Sequence, residues 1–485
     1  MLRHTCQHVY NQRLPAAPYR LLPAQSVVVP IGHEGTSLHV PESAITTSPP
    51  SRLRVCHECD MVSVVPPLAE SEAAHCPRCH HVLYSRKHCP AQHALAVAMA
   101  TLIALLMALP FPFIAFEARG VTRSIDLFDA MTILTSQHYA TLALLLWLVL
   151  LVLPLLFLLG VILIHAALLS GRRLPAPGLM MRSLRHIHRW MMGDVFLLGV
   201  LVSMVKILSL AEIHFGTSFW SFCAFVVLMI ATVRRIDMDW LWERMVGPER
   251  RLPDNIVPGR TGASQHIMGC PACGQVNRIR RLGPHFCTRC GERQHLRGHQ
   301  SLQKTLALLL VSVMLYIPAM ALPIMQVTSL GDGTPQTILG GVLLLLSHGD
   351  WPIAAIIFLA SVVIPIAKIL ALGWLCLKSY RPNPWRPDIR LRLYRLTEFI
   401  GRWSMIDVFV VALLVALVRL GSLMSVTPGP GVLAFAAVVI LTLLAALSFD
   451  PRLIWDAGEH RDLQVTPSGP SADDRSDDPQ QEREP

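Results

Sequence analysis

The sequence is short of charge. Asp, Glu, Lys and Arg make up 15% of its 485 residues, against roughly 25% in a soluble domain, so a water-soluble globular chain is excluded. Residues 1–50 contain no compact apolar h-region of the kind that defines a signal peptide, and the first spanning helix is therefore expected to direct insertion. No nucleophile elbow, HExxH or P-loop pattern occurs, which argues against a hydrolytic enzyme. The formal net charge of +10 raises the question of nucleic acid. The basic residues, however, flank apolar runs, where they report membrane topology instead, and no nucleic-acid partner is expected.

Apolar residues account for 53% of the chain, with a mean hydropathy of +0.47. They fall in blocks of about 20, the length that spans a bilayer core. Such runs occupy 94–116, 139–169, 190–213 and 218–234, and then 303–327, 351–378, 402–424 and 430–448. The two sets of four repeat one another. A shift of 211 carries Cys76 and Cys79 onto Cys287 and Cys290, Pro112 onto Pro323, Ser136 onto Ser347 and Pro154 onto Pro365. A shift of 213 then carries Arg189–Phe196 (RWMMGDVF) onto Arg402–Phe409 (RWSMIDVF), Lys206 onto Arg419, Asp237 onto Asp450 and Trp242 onto Trp455. Four helices separate the copies, so the repeat is parallel.

The expected fold is an all-α polytopic membrane protein of two tandem parallel repeats, each a small zinc ribbon plus four transmembrane helices, eight in total. The corresponding boundaries are a disordered arm at 1–53, ribbons at 54–90 and 266–296, transmembrane modules at 91–242 and 297–455, a linker at 243–265 and a disordered acidic tail at 456–485. Arginines crowd the 171–190 and 378–402 loops, whereas 327–350 and 424–430 hold no Lys or Arg. This asymmetry predicts that both termini and both ribbons are cytoplasmic.

Eight of the twelve cysteines form four CxxC pairs. Cys56, Cys59, Cys76 and Cys79 make one set and Cys270, Cys273, Cys287 and Cys290 the other, with spacers of sixteen and thirteen residues. Two CxxC turns complete a tetrahedral S4 site with no open position, which suits structural zinc, two ions per chain. A rubredoxin-like iron site and uncoordinated thiols are the alternatives. Pro77, Pro271 and Gly274 suit the tight turns. Cys6, Cys89, Cys223 and Cys376 stand outside these sets, and the last two read as small apolar residues within helices.

Ionisable residues inside spanning helices are functional candidates because an unpaired charge there is costly. Asp194 and Asp407 sit about a turn into their helices. Lys368 lies at a similar depth on the preceding helix of the second copy, so an Asp407–Lys368 ion pair is expected, extended by Ser361 and Thr442. Its counterpart in the first copy is Phe157, which leaves Asp194 to His165 or to no partner. Lys206 and Arg419 fall twelve residues beyond the aspartates, about 18 Å along the axis, and serve either to snorkel to the far interface or to attract a lipid phosphate. Pro112, Pro154, Pro318, Pro323 and Pro365 either kink the helices or free carbonyls to line a cavity.

The order of ribbon, LPF or LPI helix and RWxMxDVF helix, given twice, resembles the paraquat-inducible protein A family over 54–456. That resemblance implies an inner-membrane component of a lipid-trafficking system that works with a periplasmic, tunnel-forming MCE-domain protein and exchanges phospholipid with it. It also implies a link to the proton-motive force, with Lys368, Asp407, Ser361, Thr442 and Asp194 matching the family's polar intramembrane positions. The long N-terminal arm and the acidic tail depart from the family pattern. Two other classes stay open from the residues alone: a metal- or redox-sensing membrane protein, and a passive anchor for a periplasmic partner.

Overall fold

The computed structural model describes residues 27–30, 52–87, 90–118, 121–136, 140–207, 212–250, 255–279, 285–298, 300–329, 332–347, 349, 351–380, 386–417 and 424–456. Cys6, Cys89, Arg419 and the acidic tail lie outside them. The chain is mostly helical. Six stretches are long and apolar enough to cross a membrane: Ala140–Leu169, Pro177–Met204, Thr217–Arg235, Ser301–Ala321, Ala354–Tyr380 and Gly431–Ser448. Ala91–Met107 and Ile338–Ser347 are apolar but shorter. The run at 402–424 is helical over Ile406–Leu417, and 418–423 lie outside the described residues.

The repeat is as strict in backbone as in sequence. In the first copy, α1 is Pro90–Met107, α2 Asp129–Ser136, α3 Ala140–Trp147, α4 Leu153–Leu169, α5 Pro177–Trp190, α6 Gly193–Ile207, α7 Thr217–Arg235 and α8 Met238–Met245. In the second, α9 is Ser301–Ala321, α10 Ile338–Ser347, α11 Trp351–Phe358, α12 Ile364–Tyr380, α13 Pro387–Trp403, α14 Ile406–Leu417 and α15 Gly431–Ser448. Between α3 and α4, and again between α11 and α12, the helix widens to a π turn, at Leu148–Val152 and Leu359–Val363. Each precedes a proline, Pro154 or Pro365, whose missing N–H already interrupts the i to i−4 ladder at that point. The amphipathic helices α5 and α13 have 14 and 17 residues. The change in repeat shift from 211 to 213 falls between Pro154 and Arg189.

One feature departs from the all-helical expectation. The segments 117–138 and 327–350, read from sequence as loops, begin as β-hairpins. Ile114–Ala118 pairs antiparallel with Val121–Ile125 and also with Glu212–Phe215, which enters α7. Met325–Ser329 pairs likewise with Asp332–Gln336 and Met424–Pro428. Each sheet ties the end of the first helix to the start of the last, at the end of the module away from its ribbon. Glycine is required at the closure. A Cβ at Gly216 or Gly429 would strike the carbonyl of Pro112 or Pro323, while the Gly216 and Gly429 N–H groups donate to Phe113 O (3.2 Å) and Ile324 O (2.9 Å).

Lipid tails remove the hydrophobic drive between helices, so van der Waals packing and polar contacts hold them together. In the first module α1 and α7 are joined by a buried Thr101–Thr232 hydroxyl pair at 2.8 Å. The two modules meet through the RWxMxDVF helices. Phe196 of α6 and Phe409 of α14 stack edge to face at 5.7 Å, and Gly199 lets α14 approach. Phe196 and Phe409 occupy equivalent repeat positions, and contact between equivalents marks a two-fold relation between the modules.

Candidate functional site

Each CxxC closes with the same local chemistry. The residue after the second cysteine is left-handed in all four turns: Asp60 (φ 61°), His80 (φ 58°), Gly274 (φ 72°) and Gly291 (φ 71°). Its N–H returns to the carbonyl of the first cysteine at 2.9–3.0 Å, while that cysteine's own N–H donates to the carbonyl one residue further on. Glycine adopts this conformation freely, whereas Asp60 and His80 bear a steric cost. The turns bring Cys56, Cys59, Cys76 and Cys79 together, and likewise Cys270, Cys273, Cys287 and Cys290, with the four sulfurs of each set within 4.8 Å of one another and all eight cysteines buried. Cross-turn sulfur separations are 3.4 Å for Cys56–Cys79 and 3.5 Å for Cys59–Cys76, Cys270–Cys290 and Cys273–Cys287. These exceed a disulfide, about 2.05 Å, and approach the edge of an S4 tetrahedron with metal–sulfur bonds of about 2.3 Å. Each set can hold one metal ion.

The ribbons dock crosswise. The first ribbon packs against the second module, where its cysteines share an apolar cluster with Leu372, Cys376, Leu391, Tyr394 and Trp455. Arg395 of α13 donates to Glu58 and, at 2.7 Å, to the carbonyl of Cys79, and the Arg78 guanidinium lies 4.3 Å from the Trp455 ring. The second ribbon's cysteines join the first module's core. Arg185 of α5 donates to Ala272 O at 3.0 Å, and Arg182 reaches Gly291 O at 3.3 Å and Glu292 at 3.1 Å. Arg182 and Arg395 are equivalent in the 213 shift, and each donates to a backbone carbonyl at the fourth-cysteine turn of the ribbon it meets. Burial would raise the Glu58 carboxyl, but hydrogen bonds from His81 and Arg395 hold it down at about 2.

The ribbons also meet each other. Asp60 accepts from Arg297 (3.0 Å) and from the Ala263 N–H (2.9 Å), and Val55, Val62, Ile256, Ile267 and Val276 form a small core between them. Each ribbon then leads into its own module through an aspartate. The Lys87 N–H donates to Asp237 at 3.1 Å, and the Gly298 N–H to Asp450 at 2.9 Å. A strand at Val27–Pro30 pairs with Glu72–His75 of the first ribbon.

Within the second module the structure brings two of the intramembrane candidates together. Lys368 of α12 donates to the Thr442 hydroxyl of α15 at 2.9 Å, both side chains buried, and Thr442 in turn donates to Val439 O at 3.0 Å. Ser361 is buried in the π turn, and the Tyr316 hydroxyl of α9 reaches Val362 O in that turn at 3.4 Å. Sequence reasoning passed over Tyr316, although its hydroxyl in an otherwise apolar run was the available signal. The side chains of Asp407 and Lys206 lie outside the described residues, as does all of Arg419, so the expected Asp407–Lys368 pair falls outside them too. Asp194 is half-buried in the first turn of α6. His165 is buried with Nδ1 against Val161 O at 2.8 Å. Asp194 is not its partner in any described hydrogen bond or ion pair.

The equivalent positions of the first module are apolar. Lys368, Thr442, Ser361 and Tyr316 correspond to Phe157, Met229, Leu150 and Leu105, all buried. Phe157 packs against the His188 ring at 5.9 Å, whereas the position matching His188 is Gly401. The helix carrying Lys368, Ala354–Tyr380, is 22% buried against 44% for its counterpart Ala140–Leu169, whereas Gly431–Ser448, which carries Thr442, is 56% buried.

Helices of membrane-spanning length, two S4 centres and a buried lysine in a duplicated bundle define a multi-pass membrane protein rather than a soluble metalloprotein. Comparison with known sequences makes the assignment specific. The profile of the family described as paraquat-inducible protein A matches residues 91–246 and again 302–459, and the chain belongs to that family. It is 41% identical over 406 residues to the intermembrane transport protein PqiA of Escherichia coli K12, covering 83% of this chain and 95% of the relative. It is 30% identical over 407 residues to lipophilic envelope-spanning tunnel protein A of the same organism, covering 83% and 91%. A probable intermembrane transport protein of Haemophilus influenzae is 29% identical over 421 residues, covering 84% and 97%. No solved structure matches.

Proposed function

We propose that the chain is the inner-membrane component of an intermembrane lipid transport system, loading or unloading phospholipid for a periplasmic MCE-domain tunnel protein. In this reading eight helices cross the inner membrane. Ala91–Met107 and Ile406–Leu417 join the six longer stretches, and both termini and both ribbons face the cytoplasm. The observation that carries the proposal is the buried Lys368–Thr442 contact at 2.9 Å, made from a helix less buried than its counterpart in the first module. A lysine held in an apolar bundle costs several kcal/mol unless it is used. Its own helix exposes Leu359, Ile366 and Leu370 on another face, where acyl chains would lie. Asp407, one helix away and at similar depth, supplies the counter-charge, and its protonation biases two arrangements of α12, α14 and α15. Ser361, Thr442 and Asp194 extend the polar path, and Lys206 and Arg419 attract the lipid phosphate from the far side.

The ribbons are structural staples holding zinc. Four thiolates leave no position for chemistry, and the cysteines are buried against the opposite module, which supports a staple over a redox sensor. Lipid co-purification and envelope-barrier assays on Asp407→Asn and Lys368→Ala test the mechanism. Loss of bound lipid and of barrier function is expected in both, and normal behaviour of both variants would sink it.

A further inference from the structure

A cavity of about 320 Å3 lies where the two ribbons meet the cytoplasm-facing end of the first module, remote from the Lys368 cluster. Its polar wall is built from two guanidiniums and three imidazoles. Arg54, Arg185, His57, His81 and His188 line it, and Asp239 is the single carboxylate among its lining residues. That carboxylate is already engaged by Arg54 at 3.2 Å, as is Glu249 at 2.6 Å. Arg185 forms no ion pair among the described residues, and its described hydrogen bond goes to a neutral carbonyl. The apolar wall comes from Phe157, Val233 and Trp242, so the space runs from the ribbons into the helix bundle.

Three donor-capable atoms of the lining residues are left over. Arg54 Nε and Nη1 and His188 Nδ1 are buried with no hydrogen-bond partner, although Arg54 is only 4% exposed. Buried guanidinium N–H groups are satisfied in nearly all folded proteins, and an unmatched set around a void calls for an acceptor. Pockets of this size with an apolar wall and a few convergent polar groups are those that bind small molecules. Arg185, which no carboxylate pairs among the described residues, together with the unmatched Arg54 and His188 donors favours an anionic acceptor such as a phosphoryl group over a neutral ligand.

We propose that this cavity binds a phosphate-bearing ligand, either free phosphate or the headgroup of a phospholipid entering from the cytoplasmic leaflet, and so joins both ribbons to the first module through one anion. The proposal is independent of the transport reading, because none of its residues belongs to the second module's polar cluster. The purified full-length chain, loaded with zinc, is titrated calorimetrically with inorganic phosphate and with dioctanoyl phosphatidic acid. Saturable binding of phosphate identifies the free anion. Binding of phosphatidic acid alone identifies the headgroup. Binding of neither overturns the site.

Arg185→Gln and His188→Ala should each weaken binding about tenfold or more. Arg182→Gln contacts the same ribbon from outside the cavity and should bind as the parent does. Zinc content and elution profile are measured on every variant, because Arg185 also lies beside the second S4 centre. Equal affinity in Arg185→Gln, His188→Ala and Arg182→Gln, all folded and zinc-replete, likewise overturns the proposal.

Discussion

The two modules share one backbone plan and divide their chemistry. At the level of Lys368, the first module fills its interior with Phe157, Met229 and Leu150, and the second places Lys368, Thr442 and Ser361 at the same positions. The first also carries a hydroxyl pair, Thr101–Thr232, where the second has Ser312 and Ala445. In the proposed reading the first copy is a packed support and the second the working copy, and duplication lets the support keep the register while the other departs from it. The ribbons reverse the pairing, each binding the module that its own chain segment does not precede.

The largest effect expected from breaking this arrangement is on the ribbons. Structural zinc contributes of order 10 kcal/mol to small metal-folded domains. Cys76→Ser should therefore release one of two zinc ions and raise amide exchange in α12 and α13, leaving α4 and α5 protected. Cys287→Ser should do the reverse. Metal analysis paired with exchange mass spectrometry reads both, and exchange rising in the module next in sequence instead would refute crosswise docking.

A smaller and more local contrast separates Phe157 from Lys368. Phe157→Ala removes a fully buried ring and should cost about 3–5 kcal/mol, seen as a lower melting temperature with transport retained at permissive temperature. Lys368→Ala should abolish transport even at permissive temperature, with its stability cost limited by protonation of Asp407 once the counter-charge is gone. If the two variants exchange these phenotypes, the division of labour between the modules is wrong.

The smallest contrast concerns the aspartates that receive each ribbon's return strand. Burial pushes the Asp237 carboxyl above its ordinary value of 3.8, while at Asp450 hydrogen bonds from Arg452 and Gly298 overcome burial and hold it below. The position matching Arg452 is Asp239, which explains the opposite signs. A depressed carboxyl contributes stability above its unfolded value that is lost as pH falls through the folded one, and a raised carboxyl does the opposite. Acidification from neutrality toward about pH 4 should thus leave the Gly298–Asp450 junction protected and relieve the Lys87–Asp237 junction. Further acidification should then open the Gly298 side, as followed by amide exchange. Asp450→Asn should cost about 1–3 kcal/mol and Asp237→Asn close to none.

Much of this was legible in the sequence. CxxC spacing fixes the S4 sets, because four thiolates with two short turns admit few other arrangements. The repeat register located every equivalent position, including Phe157 against Lys368. The hairpins were missed because their strands are four or five residues long and sit beside apolar runs that mask them. The glycines in EARGVTRS and TSLGDGTP were the available turn signal. Crosswise docking was not legible at all. It depends on contacts such as Glu58 with Arg395, separated by 337 residues, and no local propensity encodes a partner that distant.

That separation has a consequence for how the protein is made. The carbonyl of Cys79 waits for Arg395, 316 residues later, and a ribosome adding about 5–20 residues per second needs roughly 15–60 s to supply it. For that interval the first ribbon is complete, able to take its metal and without its landing site, while the first module is already threading into the bilayer. The second ribbon emerges to find its own landing site waiting. Biogenesis is therefore asymmetric in time even though the finished molecule is nearly symmetric in space, and the first ribbon is the part most dependent on metal supply during synthesis.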